Sequence, residues 1–392
     1  MATAISAPSK LVGARSPIYI GINTTSSVNF SSFFDITLNI KVWDTTISSV
    51  PSDNRQTLTR TKFASTNTAV FDIAPIIREY LERTAPSNSN TVVISPASTI
   101  VWCRVDFIVN FNNTGGTVTN DTGSSAIFPV TDGYKRYEDS AETAYTDGFL
   151  TSVDTIYVPE NASQMIPISL GQRSSETVSE VTFKLGATGS SSTAIIDLSG
   201  AFHEPEQPEG SVVYFPIGDT NLSTLLTAFS YSGTLPSASN VSAYRLVIGS
   251  RTLLVNKVCE AKYTMKQIIF LNRFGVWDTL NCFKASSDTF SVTKESYNKA
   301  TGSVSTSGVF TFDTDIKQDY NVNGTTQTTL NTGFVVEEYK EIIKELMMSE
   351  AVLLDGVRVK VVTAQQTLQK HINDKMINYT LQLEEAFDER YV

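Results

Sequence analysis

The chain has 392 residues, with 40 acidic against 30 basic side chains, a formal charge of −10 and a pI of about 4.9. A field of that sign opposes nucleic acid and anionic membrane surfaces, so neither is expected as a primary ligand, and no apolar run approaches the roughly 18 residues of a membrane-spanning helix. Charged residues are only 18% of the chain, against about 25% in typical soluble proteins. Serine, threonine, asparagine and glycine fill the difference, as in proteins built of many short strands joined by polar turns.

The first 16 residues, small and polar without periodicity, read as an N-terminal arm that is disordered in the free subunit and ordered by a neighbour. They lack the apolar stretch of an export signal. From 17 to 128 the runs IYIGI, FDITLNIKVW, TAVFDI and IVWCRVDFIVNF alternate apolar and polar side chains, which predicts an antiparallel β-sandwich. One helix interrupts it: APIIREYLER puts Pro75 in a first turn and Ile76, Ile77, Tyr80 and Leu81 on one face.

Residues 129–160 carry Tyr134, Tyr137 and Tyr145 among acids and glycines with no period, and read as an exposed loop or linker suited to partner contacts. A middle β-rich domain is expected over 161–245, broken at HEPEQPEG, and a C-terminal β domain over 246–392. Within the latter, Tyr339, Ile342, Ile343, Leu346 and Met347 fall at helical spacing. They predict one amphipathic helix over about 334–350 packed on an antiparallel sheet. The last strands alternate again around a turn at Asn373 and Asp374. The whole reads as mainly β, with antiparallel sandwiches and one helix-bearing C-terminal sheet domain.

Chemistry is sparse. The only histidines, His203 and His371, lie in an acidic proline-rich loop and near a strand end. Neither neighbourhood offers a nucleophile. Cys103, Cys259 and Cys282 lack CxxC or metal spacing, so no disulfide framework or zinc site is expected. GATGSSS from Gly186 lacks the lysine of a phosphate-binding loop, and DTDIKQDYNVNG around Asp313 lacks the spacing of a calcium loop. Forty acids leave open a carboxylate pair acting on glycan. No cofactor, catalytic residue or metal ligand is assigned, and no enzymatic activity is expected.

The most distinctive stretch is FLNRFGVWDTLNCF, from Phe270 to Phe283. It predicts two strands bent around Asn272 to Gly275, with Gly275 supplying a backbone conformation other residues resist. Trp277 leaves along the second strand, and Arg273 pairs with Asp278 to hold the corner. Together with TLNTGFVVEEYKEIIKELMMSEAV and NDKMINYTLQLEEAFD, it resembles a pattern in virion proteins of tailed phages infecting Bacteroidetes, crAss-like phages among them. SPIYIGI with FDIAPIIREYLE resembles the N-terminal module of the same proteins.

That resemblance implies a structural subunit of the tail, neck or tail tip, made in the host bacterial cytoplasm and assembled into a homo-oligomeric ring beside other tail, neck or portal-associated proteins. Its C-terminal domain is similar in kind to tail-tube domains. Expected contact surfaces are the N-terminal arm, Tyr134, Tyr137 and Tyr145, and the helix at Tyr339 and Glu341. The alternative is an adhesin-like tail protein of the host attachment apparatus, gripping a host receptor or glycan with exposed aromatic loops.

Overall fold

The computed structural model describes residues 4–24, 33–44, 47, 49–63, 68–89, 91–112, 116–136, 145–160, 162–171, 180–185, 192–198, 211–218, 242–258, 263–299, 302–312, 316–368 and 376–387. The protein is mainly β, and most strand pairs are antiparallel. It divides into two compact units, and each is assembled from separate stretches of chain. Unit 1 comprises Met1–Ala261, Phe270–Leu280 and Glu338–Glu350; unit 2 comprises Lys262–Ile269, Asn281–Glu337 and Ala351–Val392.

Unit 1 opens with the expected sandwich. A three-stranded sheet, in order Ala4–Ser6, Tyr19–Asn23 and Thr68–Asp72, shares one core with a six-stranded sheet. The six-stranded sheet runs Val12–Gly13, Phe128–Thr131, Ile100–Asn112, Phe33–Trp43, Gln56–Phe63, with Val118–Ser124 also paired to Ile100–Asn112. Alternation does the sorting, because successive side chains of a strand point to opposite faces. Ile36, Leu38, Ile40 and Val42 therefore meet Val101, Cys103, Val105 and Phe107 inside, and Ile20, Ile22, Ala69 and Phe71 close the other side. Helix α1, Ala74–Arg78, caps this core with Ala74 and Ile77 buried and the proline in its first turn.

Two more sheets complete the described part of unit 1. One orders Gly148–Phe149, Met165–Ser169, Val212–Pro216 and Val93–Ile94; the other orders Thr155–Pro159, Arg251–Val258, Ala243–Ile248, Glu180–Leu185 and Ser192–Asp197. Every residue of Met165–Ser169 and Val212–Pro216 is buried, so their continuous apolar runs mark strands covered on both faces.

Several expectations need correction. The N-terminal arm is folded into the chain itself from residue 4: Ala4–Ser6 pairs Tyr19–Asn23, Val12–Gly13 pairs Phe128–Thr131 in parallel, and Leu11, Val12 and Ala14 are buried. Likewise 129–160 is not a free loop. Phe128–Thr131 is a fully buried strand, and Thr155–Pro159 pairs in parallel with Arg251–Val258. Parallel pairing of distant stretches has no local signature, so 129–160 shows no period in the sequence. The C-terminal helix shortens to α2, Lys340–Met348, after a 3-10 turn at Glu337–Tyr339, because Val335–Val336 is extended and pairs Met376–Ile377. This helix and the corner at 270–280 belong to unit 1 rather than to a separate C-terminal domain.

In unit 2, Val352–Leu354, Val357–Val361, Thr380–Glu385, Lys317–Asn331 and Ser287–Asn298 lie side by side in that order. They form one continuous run of sheet within this unit. Its last pair is a long two-stranded arm, extended by the small hairpin Gly302–Val304 and Phe310–Phe312.

Candidate functional site

The corner is a packed turn. Asn272, buried, organises it: its backbone N–H donates to Val276 O (2.9 Å), its carbonyl accepts from Gly275 N–H (3.0 Å), and its side-chain Oδ1 accepts from Phe274 N–H (3.0 Å). Its Nδ2 donates outward to Leu150 O at 2.8 Å. Gly275 has φ of 72°, and a Cβ there would fall on the backbone of Asp132 and Gly133. The glycine is required twice, by conformation and by space. Thr131 Oγ1 donates to Phe274 O (2.6 Å) and Tyr134 N–H to Arg273 O (2.7 Å), so segment 131–134 lies directly against the turn. Trp277 is buried, with its N–H donating to Tyr214 Oη at 3.1 Å.

Arg273 does not pair with Asp278. Its Nε lies 3.7 Å from Glu345 Oε1, and its guanidinium covers the Phe274 ring at 4.7 Å. Asp278 is buried, accepts from Thr279 N–H (2.8 Å) and Asn272 Nδ2 (3.4 Å), and burial pushes its carboxyl up from the ordinary range. Five residues of separation across a tight turn aim the two side chains apart. The acid that faces Arg273 arrives from α2.

Two charge clusters surround the corner. In the first, Arg15 grips Asp132 with both arms of its guanidinium (Nε 2.8 Å, Nη2 3.0 Å), and Arg83 Nε meets the same carboxylate at 2.8 Å. Glu350 closes the group through Arg15 and through Arg83 Nη2 at 2.9 Å. The hydrogen bond from Arg15 pulls the Glu350 carboxyl down to about 2. In the second, Arg136 Nη1 meets Glu341 Oε2 at 2.6 Å and its Nη2 lies 3.7 Å from Glu345 Oε1, which also accepts from Ser152 Oγ at 2.5 Å. Burial pushes Glu345 up to about 7, opposed by Ser152 and Arg273, and pushes the Tyr134 phenol up to about 12.

This pKa has a measurable consequence. The unfolded chain ionises Glu345 near 4.5, so between pH 4.5 and 7 the folded state holds a proton that the unfolded state has released. Its contribution to stability is full below 4.5, falls as pH rises through 7 and is flat above. Glu345→Gln keeps an oxygen for Ser152 and removes the penalty, so it is expected to stabilise unit 1 by about 2 kcal/mol at pH 8 and not at pH 4.5. Thermal melts at the two pH values check this; an equal gain at both would show that the carboxyl does not titrate in the folded protein.

The expected contact tyrosines are inside. Tyr145 is buried edge-on to Phe274 (ring centroids 5.1 Å), with its hydroxyl donating to Arg273 O at 3.2 Å. Tyr339 is buried against Tyr157 and accepts from Tyr157 N–H at 2.9 Å. Their ring area is spent on the core, which a one-dimensional reading cannot distinguish from a surface. Tyr134 is half-buried, and Glu341 is engaged by Arg136 and Lys344. Tyr137, His203, His371, Cys259, Gly186, Asp313 and the turn at Asn373 and Asp374 lie outside the described residues. Cys103 and Cys282 are buried thiols; burial raises both, Cys282 to about 12, which suppresses the reactive thiolate. Among the described residues no group of three or more His, Cys, Asp or Glu side chains is placed to hold a metal ion, and no helix is long and apolar enough to cross a membrane.

The surface that stands out is the arm of unit 2. All twelve residues of Ser287–Asn298 are exposed, so both faces of that strand meet solvent. Nine large apolar side chains of the arm are left open: Phe290, Val292, Tyr297, Val304, Val309, Phe310, Phe312, Ile316 and Tyr320. Phe310 and Phe312 stack edge to face at 4.7 Å, and Tyr297 contacts Tyr320 at 5.7 Å. Midway, the register shifts beside Asn321, which takes a left-handed φ of 49°. Such a bulge bends and twists a ribbon. The alternation of FSVTKESY was the available signal for this arm.

No protein-family model matches the sequence, and a search of curated proteins finds no relative.

Proposed function

We propose that the chain is a non-enzymatic structural subunit of a phage virion, joining copies of itself into a ring in the tail, neck or tail tip. The observation that carries the assembly part is the arm. A lone two-stranded ribbon is marginal in water, and monomers seldom expose contiguous apolar patches above a few hundred Å². Its five aromatic rings, each able to bury about 150–250 Å² and each about half or more exposed, offer on the order of 500 Å² to a neighbour. The valines and isoleucine bring this toward the roughly 800 Å² per partner of a standard interface. The phage setting rests on the resemblance of the corner, helix and closing strands to tailed-phage virion proteins.

Light scattering on the purified chain is expected to give a multi-subunit mass that falls to the monomer in Phe290→Ser/Tyr297→Ser, with unchanged melting because both side chains are exposed. A native chain that stays monomeric at every concentration would sink the assembly reading. The same exposed rings favour a second reading, stacking on sugars of a host glycan. Binding of the monomer to host polysaccharide, lost in that variant, would select it.

A further inference from the structure

Unit 1 carries a cleft of about 450 Å³ on the outer side of its three-stranded sheet, lined among others by Ser6, Pro8, Pro17, Tyr19, Val70 and Lys135. That volume lies in the range of about 300–1,000 Å³ typical of sites enclosing small ligands. Tyr19 and Val70 stand open beside it at 46% and 51% exposure. Gly21 lies between them in the pairing, opposite Val70 on one side and Ser6 on the other, and leaves a depression where a side chain would stand. Among the described residues of the lining, Lys135 alone carries a charge.

We infer that this cleft is the seat for the arm tip of a second copy of the chain, with Phe310 and Phe312 entering beside Tyr19 and Val70. The inference rests on the assembly reading above and names the two patches that meet. Charge selects them. Copies bearing −10 each repel, so contacts must form where neither surface adds like charge. The tip from Gly302 to Phe312, GSVSTSGVFTF, contains no ionisable residue, and the described lining of the cleft contributes one positive charge and no negative one. The chemistry also matches: Phe312 is 75% exposed beside Phe310, and Pro8, Pro17, Tyr19 and Val70 give the mixed lining a wall against which flat rings can pack. Tip and cleft are different surfaces, so each copy gives one and receives one. This heterologous arrangement closes into a ring or continues as a filament instead of stopping at a dimer.

The test uses the full chain carrying either Val70→Cys or Phe312→Cys, each with a distinguishable tag, under mild oxidation. In a Cys259→Ser background, with Cys103 and Cys282 buried, a mixture is expected to give a disulfide-linked species containing both tags, absent from the Cys259→Ser parent. Val70→Glu is expected to weaken association at least tenfold without lowering the melting temperature, because Val70 is exposed. If the native chain assembles but the mixture does not cross-link, or Val70→Glu associates normally, the tip seats elsewhere and the assembly reading survives. If Val70→Cys/Phe312→Cys links only within one chain, the inference fails in favour of self-capping. A native chain that remains monomeric overturns both.

Discussion

Asp132→Ala is expected to cost unit 1 about 3 kcal/mol, the low end of the penalty for breaking a buried ion pair. Asp132 is 4% exposed and receives three hydrogen bonds from two guanidiniums. Without it, Arg15 and Arg83 face each other with only Glu350 between them. Glu350 is 55% exposed at its side chain, so water screens it and it cannot replace the lost carboxylate. Glu350→Gln is therefore expected to cost less, about 1 kcal/mol or below. Thermal or urea melts of the full chain measure both. Equal effects, or an unmoved transition in Asp132→Ala, would show that the two arginines are adequately solvated without their acid.

Gly275→Ala is expected to be more damaging, about 3 kcal/mol or more and sufficient to lower soluble yield. Two costs combine. A side chain at φ 72° is strained by about 1–2 kcal/mol, and the new methyl group would collide with the backbone of Asp132 and Gly133. Backbone cannot swing aside as a flexible side chain can. Moving it would also pull on Thr131 Oγ1 to Phe274 O and Tyr134 N–H to Arg273 O, the bonds that hold the turn in place. Gly308→Ala is a suitable control: its φ is 78°, but nothing lies within 4 Å of the added carbon, so it carries the strain alone. If the two variants melt alike, the close approach at Gly275 is not a constraint.

What could be read from the sequence was what repeats locally. Alternation in FDITLNIKVW and IVWCRVDFIVNF specified strands and their inward faces. Pro75 with Ile76 and Ile77 specified a short helix, and Gly275 between apolar strands specified the turn. What could not be read depends on distant chain. Arg15 and Glu350 are 335 residues apart, Arg273 meets an acid from α2, and the tyrosines of 134–145 look the same whether they face a partner or a core. The arm is hidden in the sequence for a different reason. Its alternation matches that of any half-buried strand, and only its surroundings reveal that both faces are bare.

The division of unit 1 into three stretches of chain also sets an order of events during synthesis. Residues 1–261 leave the ribosome with Arg15, Arg83 and Arg136 still lacking the acids of 341–350. Another 89 residues must be translated before Glu350 emerges, roughly 5–20 s at ordinary rates of elongation. Meanwhile the exposed arm emerges first, ahead of the helix that finishes the older unit. A nascent chain stalled before Glu341 would thus display the open aromatic side chains of the arm on an unfinished body, and copies made on one polysome would present them to one another unless a chaperone shields the arm.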